Sequence, residues 1–244
     1  MKKRRSNFWN KEYIKPEHLA LSVVPSEDLQ KFTRWLLRQE GNRTLNKNSV
    51  VLDLGCGNGR HLIYLNREFG CRGIGYDTSE EAIKQANTTA TTRFVAAPLH
   101  FEVRSIAEPP PLADNSVDLV LDMMTAHVLR QAEREVWRNE ISRVLRPGGW
   151  FFLKTFLAEE DLHVKRLLRD HPAGEANSYI HPVLGVYEHV WAEPEIEEFF
   201  GGQFEVAKID KSHKHVHYGA AAQKLGRAFK RRFMVVYLRK KDFN

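Results

Sequence analysis

The sequence predicts an α/β fold in which a mostly parallel sheet carries helices on both of its faces. From residue 50 onward, short apolar runs of strand character alternate with longer segments of helical pattern. The first run, 50–54, passes directly into a glycine-rich turn, which is followed by a helical pattern near 59–69. A strand, a glycine turn and a helix in this order form the corner at which parallel sheets bind nucleotides and phosphates.

The remaining elements follow from apolar runs and from the residues that interrupt them. A first helix is predicted to begin at Pro25–Asp28, which carry a helix start signal, and to end near Gly41–Asn42. Five strands are predicted at 50–54, 73–77, 99–104, 117–122 and 150–155, with helices near 59–69, 79–90 and 130–145. Three prolines at 109–111 predict a stiff loop between the third and fourth strands. Strands that alternate with helices imply right-handed crossovers.

Length and composition agree with one folded α/β domain. The chain has 244 residues, of which 42% are hydrophobic and 28% charged, as is typical of globular proteins. Its two cysteines, Cys56 and Cys71, indicate neither a disulfide framework nor a cysteine-rich zinc site. The basic residues at 1–9 precede no apolar run, and no apolar stretch reaches the roughly 18 residues that span a membrane. We therefore expect a cytoplasmic protein without a transmembrane segment.

Charge is distributed unevenly along the chain. Residues 1–15 contain six Lys or Arg and one acid, and residues 208–244 contain eleven and two. With a total of +6, the segment between them is acidic. Residues 219–232 predict an amphipathic helix, with an apolar stripe opposite a basic face formed by Lys224, Arg227, Lys230 and Arg231. Basic ends either keep the protein in solution or attract an anionic substrate, a nucleic acid or a membrane surface.

The glycine turn has a spacing that distinguishes between cofactor classes. A nicotinamide-binding fingerprint requires glycine or alanine where this chain has Arg60, so a dehydrogenase is disfavoured. The turn instead reads Gly55-x-Gly57-x-Gly59, and Asp53 lies two residues ahead of it. The second strand ends in Asp77, about twenty residues further on, where an acid can accept ribose hydroxyls. This arrangement resembles the first motif of class I S-adenosylmethionine-dependent methyltransferases.

Two later segments extend the resemblance. Ala113–Asp122 is similar to the family's fourth strand with its lead-in, and Glu140–Gly149 to the helix and tight turn before the fifth strand. The resemblance implies a Rossmann-like, seven-stranded sheet ending in an antiparallel hairpin, assigned to Phe204–Asp210 and Phe233–Arg239. It also implies one domain with four parts: a helical lid at 1–42, a cofactor core at 43–155, a substrate-side insertion at 156–200 and a hairpin with a basic helix at 201–244.

The resemblance implies S-adenosylmethionine as cofactor and assigns a role to each part of its site. Asp53 and the backbone of Gly55 and Gly57 would hold the methionine end, Asp77 the ribose, and Ser105–Ile106 the adenine. In many relatives the residue matching Ser105 is an acid, so this position departs from the family pattern. The expected cofactor-binding residues are Asp53, Gly55, Cys56, Gly57, Asn58, Gly59, Asp77, Thr78, Ser105, Ile106 and Asp122. From the residues alone, Asp77 could also cap the following helix, and both roles can hold together.

The acceptor is expected at the end of the fourth strand, Asp122–His127. This segment lacks both the Asn/Asp-Pro-Pro-aromatic tetrad that relatives use for exocyclic amino groups and the cysteine of 5-methylcytosine chemistry. His127 is the candidate catalytic residue, because a histidine can accept a proton near neutral pH; packing and capping of the following helix is the alternative. Candidate substrate-binding residues are Trp9 and Tyr13 before the first predicted helix, and Tyr179, His181 and Tyr187 in the insertion.

The leading functional hypothesis is methyl transfer to a small molecule at oxygen, nitrogen or sulfur. Trp191–Glu195 resembles the turn before the sixth strand of thiopurine- and tellurite-type enzymes, which act on small molecules. The alternatives are a methyltransferase of RNA or protein guided by the basic ends, and a catalytically silent cofactor-binding subunit. Binding of nucleic acid is possible but not favoured, and the oligomeric state is not indicated. His213, His215 and His217 alternate, but Lys211 and Lys214 lie near them and no metal site is expected.

Overall fold

The computed structural model describes residues 2–18, 21–93, 95–159, 161–213, 216–217 and 230–242. Side chains at 2–6, 216, 217 and 230 are not described. The helices are α1 (Lys2–Ile14), α2 (Glu27–Glu40), α3 (Arg60–Phe69), α4 (Glu80–Thr92), α5 (Gln131–Val144), α6 (Leu162–Asp170) and α7 (Glu193–Gly201), with a 3₁₀ turn at Ala126–Val128. The strands are β1 (Val50–Leu54), β2 (Arg72–Asp77), β3 (Leu99–Val103), β4 (Val117–Met123), β5 (Leu145–Phe156), β6 (Ser178–Ile180), β7 (Tyr187–His189), β8 (Phe204–Lys211), β9 (Val216–His217), β10 (Lys230–Arg231) and β11 (Phe233–Lys240).

The central sheet has seven strands in the order β3-β2-β1-β4-β5-β11-β8. The first five are parallel, and β11 runs antiparallel to both of its neighbours. This confirms the predicted fold class, including the C-terminal antiparallel pair. The strand order reverses between β1 and β4, and ligands bind at such switch points, outside the carboxyl ends of the strands. Asp53, Asp77 and Asp122 all lie at this edge of the sheet.

Two apolar layers hold the sheet in place because alternate strand residues face opposite sides. On β5, Phe151 packs in a layer with Trp137 of α5 and Phe200 of α7. Its neighbour Phe152 packs on the other face against Phe32 of α2, with ring centroids 4.9 Å apart. Both faces are thus covered by helices, as the alternation of elements predicted.

Two features of the secondary structure differ from the sequence prediction. The tight turn predicted before the fifth strand is part of β5, which begins at Leu145. The register with β4 jumps from Val117–Leu145 to Leu119–Trp150, so 146–149 bulge out of a continuing ladder. Before α2, the segment that carries Phe8, Trp9 and Tyr13 is itself helical, as α1.

The insertion after β5 has its own secondary structure. It contains α6 and the two-stranded β6–β7 sheet before the chain enters α7. Of the predicted basic helix, most lies outside the described residues, and Lys230–Arg231 form a strand paired with Val216–His217. His215 and the side chain of His217 also lie outside the description. In the part of the chain that is described, no helix is both long and apolar enough to cross a membrane.

Candidate functional site

The glycine loop packs between the end of β4 and helix α1. The backbone N–H groups of Gly55 and Cys56 donate to the Tyr76 carbonyl over 2.7 and 2.9 Å, which ties the loop to β2. Gly55 and Gly57 have φ of +78° and +54°, values that side chains disfavour. A Cβ atom at Gly55 would overlap the Thr125 side chain, and one at Gly57 the Tyr13 hydroxyl. Only glycine fits at these two positions.

Helix α3 begins directly after this loop. Its N-cap is Gly59, which supplies no side-chain hydrogen bond. No side chain at the N-cap position therefore caps α3, and a helix N-terminus favours an anionic group such as a carboxylate. Within the glycine loop, the Asn58 side chain donates to the Ser22 carbonyl over 3.0 Å. The Cys56 thiol is buried, and burial raises its pKa well above the ordinary value.

Asp77 and Asp122 accept backbone hydrogen bonds that shape the site. Asp77 accepts from Gly57 N over 3.0 Å and from Ser79 N over 2.9 Å, so it joins the glycine loop to the turn after β2, which includes Thr78. Asp122 accepts from Thr125 N over 2.9 Å and from Ala126 N, which fixes the 3₁₀ turn after β4. The helix cap is Ser79, which accepts from the first turn of α4. Ser79 and not Asp77 is therefore the N-cap of α4, and ribose binding by Asp77 stays a prediction.

Asp53 is the third carboxyl group at this edge, and it differs from the other two. It is fully buried, and neither of its oxygens has a hydrogen-bond partner among the residues described. Burial, followed by the charges of Asp122 and Asp77, raises its pKa to about 8. An unpartnered buried carboxyl group is costly, and a ligand with a cationic donor would satisfy it. The ammonium group of S-adenosylmethionine is such a donor, so the site fits this cofactor.

The loop after β3 closes the far side of the site. Arg104 N donates to the Asp77 carbonyl over 2.9 Å, which holds this loop beside the end of β2. Ser105 and Ile106 line a narrow cleft together with Leu54 and Tyr76. The Ser105 hydroxyl accepts from Ala107 N within its own loop. The cleft is mainly apolar and too narrow to hold an adenine ring as it stands, and the role of Ser105 and Ile106 in adenine binding stays a prediction.

Helix α1 lies over the glycine loop and is anchored to α4. Asn10 Oδ1 accepts from Ser79 Oγ and from Glu81 N, both over 3.0 Å, and Gln85 Nε2 donates to the Tyr13 carbonyl over 3.0 Å. This places the Tyr13 hydroxyl against Gly57, where burial and then the charge of Asp77 raise its pKa. Tyr13 thus lies on the cofactor side of the site. Trp9 packs edge-to-face against Phe8, with centroids 4.9 Å apart.

His127 lies in the 3₁₀ turn after β4 and is only 5% exposed. Its ring packs edge-on against Phe156 with centroids 4.8 Å apart. Burial, followed by the charge of Arg231, lowers its pKa to about 3. Its imidazole is therefore neutral at physiological pH, and a catalytic role for His127 stays a prediction. A group with so low a pKa is a weak general base.

The three candidate residues of the insertion take part in buried polar contacts. Tyr179 donates to Glu188 and accepts from Arg231 Nη2 over 2.7 Å. His181 Nδ1 accepts hydrogen bonds from two backbone N–H groups, each over 3.2 Å. The Tyr187 hydroxyl donates to Glu175 over 2.6 Å. These contacts hold the insertion together beside the end of β4, and a role in acceptor binding stays a prediction.

Two residues of the site were missed by sequence reasoning. Thr125 fills the space beside Gly55, and no local pattern marks it. His61, in the first turn of α3, is 5% exposed, and its Nδ1 lies 3.9 Å from Asp53 Oδ2. Its position directly after the glycine loop is a signal that could have been used.

Comparisons with known proteins agree with this geometry. A family model described as a methyltransferase domain matches residues 45–220. The chain is 28% identical over 167 residues to a fatty-acid O-methyltransferase of Mycolicibacterium smegmatis, covering 68% of this chain and 58% of that protein. It is 26% identical over 140 residues to a tRNA (carboxymethyluridine(34)-5-O)-methyltransferase of Arabidopsis thaliana, covering 57% of this chain and 32% of that protein.

Among solved structures, a SAM-dependent methyltransferase from Methanosarcina mazei superposes with a TM-score of 0.66 at 24% identity. The match covers 82% of this chain and 96% of that one, and it supports the fold. The chain belongs to the class I S-adenosylmethionine-dependent methyltransferases, as its motifs predicted. It spans less than two thirds of the length of the two curated relatives named above.

Proposed function

We propose that this protein transfers a methyl group from S-adenosylmethionine to a small-molecule acceptor. The observation that supports this proposal is the enclosure of the end of β4. His127 and Phe156 are at most 5% exposed there, because they pack against each other and Phe156 packs in a cluster with Tyr179 of the insertion. An acceptor that reaches this point has to fit among buried side chains, which favours a small molecule over a folded RNA or protein. The fatty-acid O-methyltransferase among the relatives also acts on a small molecule, by its name.

The residues of the chain contribute binding, orientation and exclusion of water. Asp77 would accept hydrogen bonds from the ribose hydroxyls, and Asp53 would face the methionine ammonium group. Helix α1 would cover these two parts of the cofactor through Tyr13. When bound, S-adenosylmethionine supplies an activated methyl group, which an in-line nucleophile displaces. Positioning can then account for several kcal/mol of barrier reduction.

The neutral state of His127 narrows the class of acceptor. With a pKa of about 3, His127 cannot remove a proton efficiently at pH 7. A group that needs no strong base, such as a carboxylate, a thiolate or a neutral amine, is the kind of acceptor that is compatible with a neutral His127. A neutral imidazole can still orient such a group by hydrogen bonding.

Turnover measurements test this proposal. The protein is incubated with S-adenosylmethionine and separate pools of carboxylic acids, thiols, amines, tRNA and protein, and release of S-adenosylhomocysteine is followed. The Asp77→Ala variant serves as control, because it retains the acceptor region. We expect turnover with a low-mass pool that the variant lacks. Turnover with tRNA or protein alone would contradict the small-molecule acceptor, and absence of turnover with every pool would favour the silent subunit.

A tRNA acceptor is the second candidate, because the ends of the chain are basic and one relative is a tRNA methyltransferase by name. Binding through phosphate contacts would weaken steeply as salt is raised, since counterions are released on binding. We expect no tRNA binding in 150 mM salt. Submicromolar, sequence-selective binding there would place this candidate first.

A further inference from the structure

Three large aliphatic side chains are exposed in the N-terminal segment that covers the glycine loop. Ile14, at the end of α1, is 65% exposed, and Val23 and Val24, just before α2, are 57% and 62% exposed. Single exposed aliphatic residues are common on folded proteins, but a group of them marks an interaction surface. We call Ile14, Val23 and Val24 the aliphatic patch.

The aliphatic patch is held beside the glycine loop on both sides. Asn58 Nδ2 donates to the Ser22 carbonyl over 3.0 Å, and Arg60 Nη1 donates to the Val24 carbonyl over 3.3 Å. On α1, Tyr13 packs against the same loop, directly before the first residue of the patch. The patch therefore lies at the edge of the sheet where the cofactor and the acceptor are expected to enter.

The surroundings of the aliphatic patch are basic. Residues 1–24 contain six Lys or Arg and two acids. One of these acids, Glu12, is only 4% exposed and accepts hydrogen bonds from its own segment. The other, Glu17, is exposed, with its Oε1 4.0 Å from Lys15 Nζ. Lys11 and Lys15 are exposed and lie four residues apart, so they share one face of α1.

This combination of side chains distinguishes a lipid surface from a nucleic acid. Single-stranded nucleic acids stack their bases on exposed aromatic rings. Here Phe8 and Trp9 pack edge-to-face and Tyr13 lies on the glycine loop, so the three rings are at least half-buried. Aliphatic side chains add nothing to phosphate contacts. An anionic bilayer uses both parts of the surface, because its headgroups attract cations and its acyl boundary accepts aliphatic groups.

We propose that the aliphatic patch and α1 dock the protein on the surface of an anionic lipid bilayer. Lys11 and Lys15 lie against lipid phosphates, and the patch enters the headgroup region. The docked face is the edge of the sheet that carries the glycine loop, so an amphiphilic acceptor would pass from the bilayer to the site without crossing water. This consequence rests on the proposed function, whereas the docking itself does not depend on the acceptor.

Vesicle sedimentation tests the docking. The full chain, without cofactor or acceptor, is mixed with vesicles of phosphatidylcholine alone or of phosphatidylcholine with about 30% phosphatidylglycerol. We expect binding to the anionic vesicles that weakens as salt is raised, and much weaker binding to the neutral vesicles. Absence of binding to the anionic vesicles, or equal binding to the two kinds, would overturn the proposal.

A pair of double variants tests whether the basic face of α1 carries the binding. Lys11→Gln/Lys15→Gln removes two charges from this face, and Lys47→Gln/Arg72→Gln removes two exposed charges from the opposite, amino-terminal edge of the sheet. We expect the first variant to bind anionic vesicles at least fivefold more weakly, since one cation near such a surface contributes about that much. Equal weakening in the control would show that net charge alone governs binding, and the proposal would fail.

A second comparison tests the aliphatic patch. We expect Ile14→Ser/Val23→Ser/Val24→Ser to bind anionic vesicles at least tenfold more weakly, because three aliphatic side chains no longer leave water. Val136→Ser is the control, because Val136 is a 40% exposed valine on α5, and its binding should not change. Unchanged binding of the triple variant would contradict insertion of the patch.

Hydrogen exchange of the wild type locates the bound surface without any variant, so the test survives a variant that does not fold. We expect anionic vesicles to slow amide exchange at 11–25 and to leave α5 unchanged. Protection confined to other parts of the chain would overturn the proposal. A second copy of the chain or a tRNA that binds through this surface, with no binding to vesicles, would also overturn it.

The outcomes separate this inference from the proposed function. Vesicle binding without turnover of any low-mass acceptor removes the proposed function and leaves the docking. Turnover of a low-mass acceptor without vesicle binding removes the docking and leaves the proposed function.

Discussion

Substitution of Gly57 by alanine tests whether the glycine loop and α1 form one cofactor cradle. Gly57 has φ of +54°, and an added Cβ atom would overlap the Tyr13 hydroxyl. Gly185 offers a matched control, because its φ of +65° is similar and nothing lies within 4 Å of its added Cβ. Both substitutions strain the backbone by about 1 kcal/mol. Only Gly57→Ala also disturbs the packing of α1.

The magnitudes follow from these contacts. We expect Gly185→Ala to lower the free energy of unfolding by about 1 kcal/mol and to leave cofactor affinity unchanged. Gly57→Ala should lose at least 1 kcal/mol more, and S-adenosylmethionine should bind at least tenfold more weakly, which corresponds to about 1.4 kcal/mol. After the hydroxyl oxygen, the nearest Tyr13 atom lies 3.3 Å from the Cβ atom added at Gly57. Adding Tyr13→Phe to Gly57→Ala should therefore restore most of the lost stability.

Denaturant unfolding gives the free energy of unfolding, and calorimetric titration gives the affinity for S-adenosylmethionine. Both are measured for the wild type, the two single variants and the double variant. If the methionine end lies over Gly57, the double variant regains stability but still binds weakly, because the added methyl group occupies cofactor space. Equal affinity losses in Gly57→Ala and Gly185→Ala would refute the reasoning. So would a double variant no more stable than Gly57→Ala.

Three further predictions address the carboxyl groups and His127. Asp77→Ala should weaken S-adenosylmethionine binding by about 2–3 kcal/mol by calorimetry, since charge-assisted hydrogen bonds to the ribose are lost; unchanged affinity in a folded variant would remove this assignment. His127→Ala should lower the free energy of unfolding by about 2–3 kcal/mol through lost packing on Phe156, and the shape of the pH–rate profile between pH 6 and 8 should stay the same. A rate limb in that range that disappears in the variant would show that His127 does titrate there. Because the folded protein raises the pKa of Asp53 from 3.8 to about 8, it binds this proton more tightly than the unfolded chain, and stability is lost as pH rises through that range. Asp53→Asn should thus raise the Tm more at pH 8 than at pH 5. An equal rise in Tm at the two pH values would contradict the raised pKa of Asp53.

The elements that the sequence predicts well have local determinants. Helix α2 begins after Ser26, whose side chain accepts from Asp28 N, and it ends at Gly41 with φ of +60°. Both residues are visible start and stop signals. Strand β1 and the glycine loop are equally local, because an apolar run and three glycines specify them. The positions of these elements and of the glycine loop were therefore predictable from the sequence.

The remaining features depend on contacts between distant parts of the chain. Helix α1 is polar and lacks a start signal, and it is anchored by bonds to residues 69 to 72 positions away. Tyr179 meets Arg231 across 52 positions, so its buried contacts could not be foreseen. The low pKa of His127 follows from burial under the insertion, which spacing alone does not show.

A crystal structure with S-adenosylhomocysteine tests the central claim most directly, since the claim is that the carboxyl edge of β1, β2 and β4 holds the cofactor beneath α1. We expect the ribose hydroxyls on Asp77, the adenine beside Ser105–Ile106, and the ammonium group within hydrogen-bond distance of Asp53. A ligand bound elsewhere on the protein, or one whose ribose makes no contact with Asp77, would contradict the account.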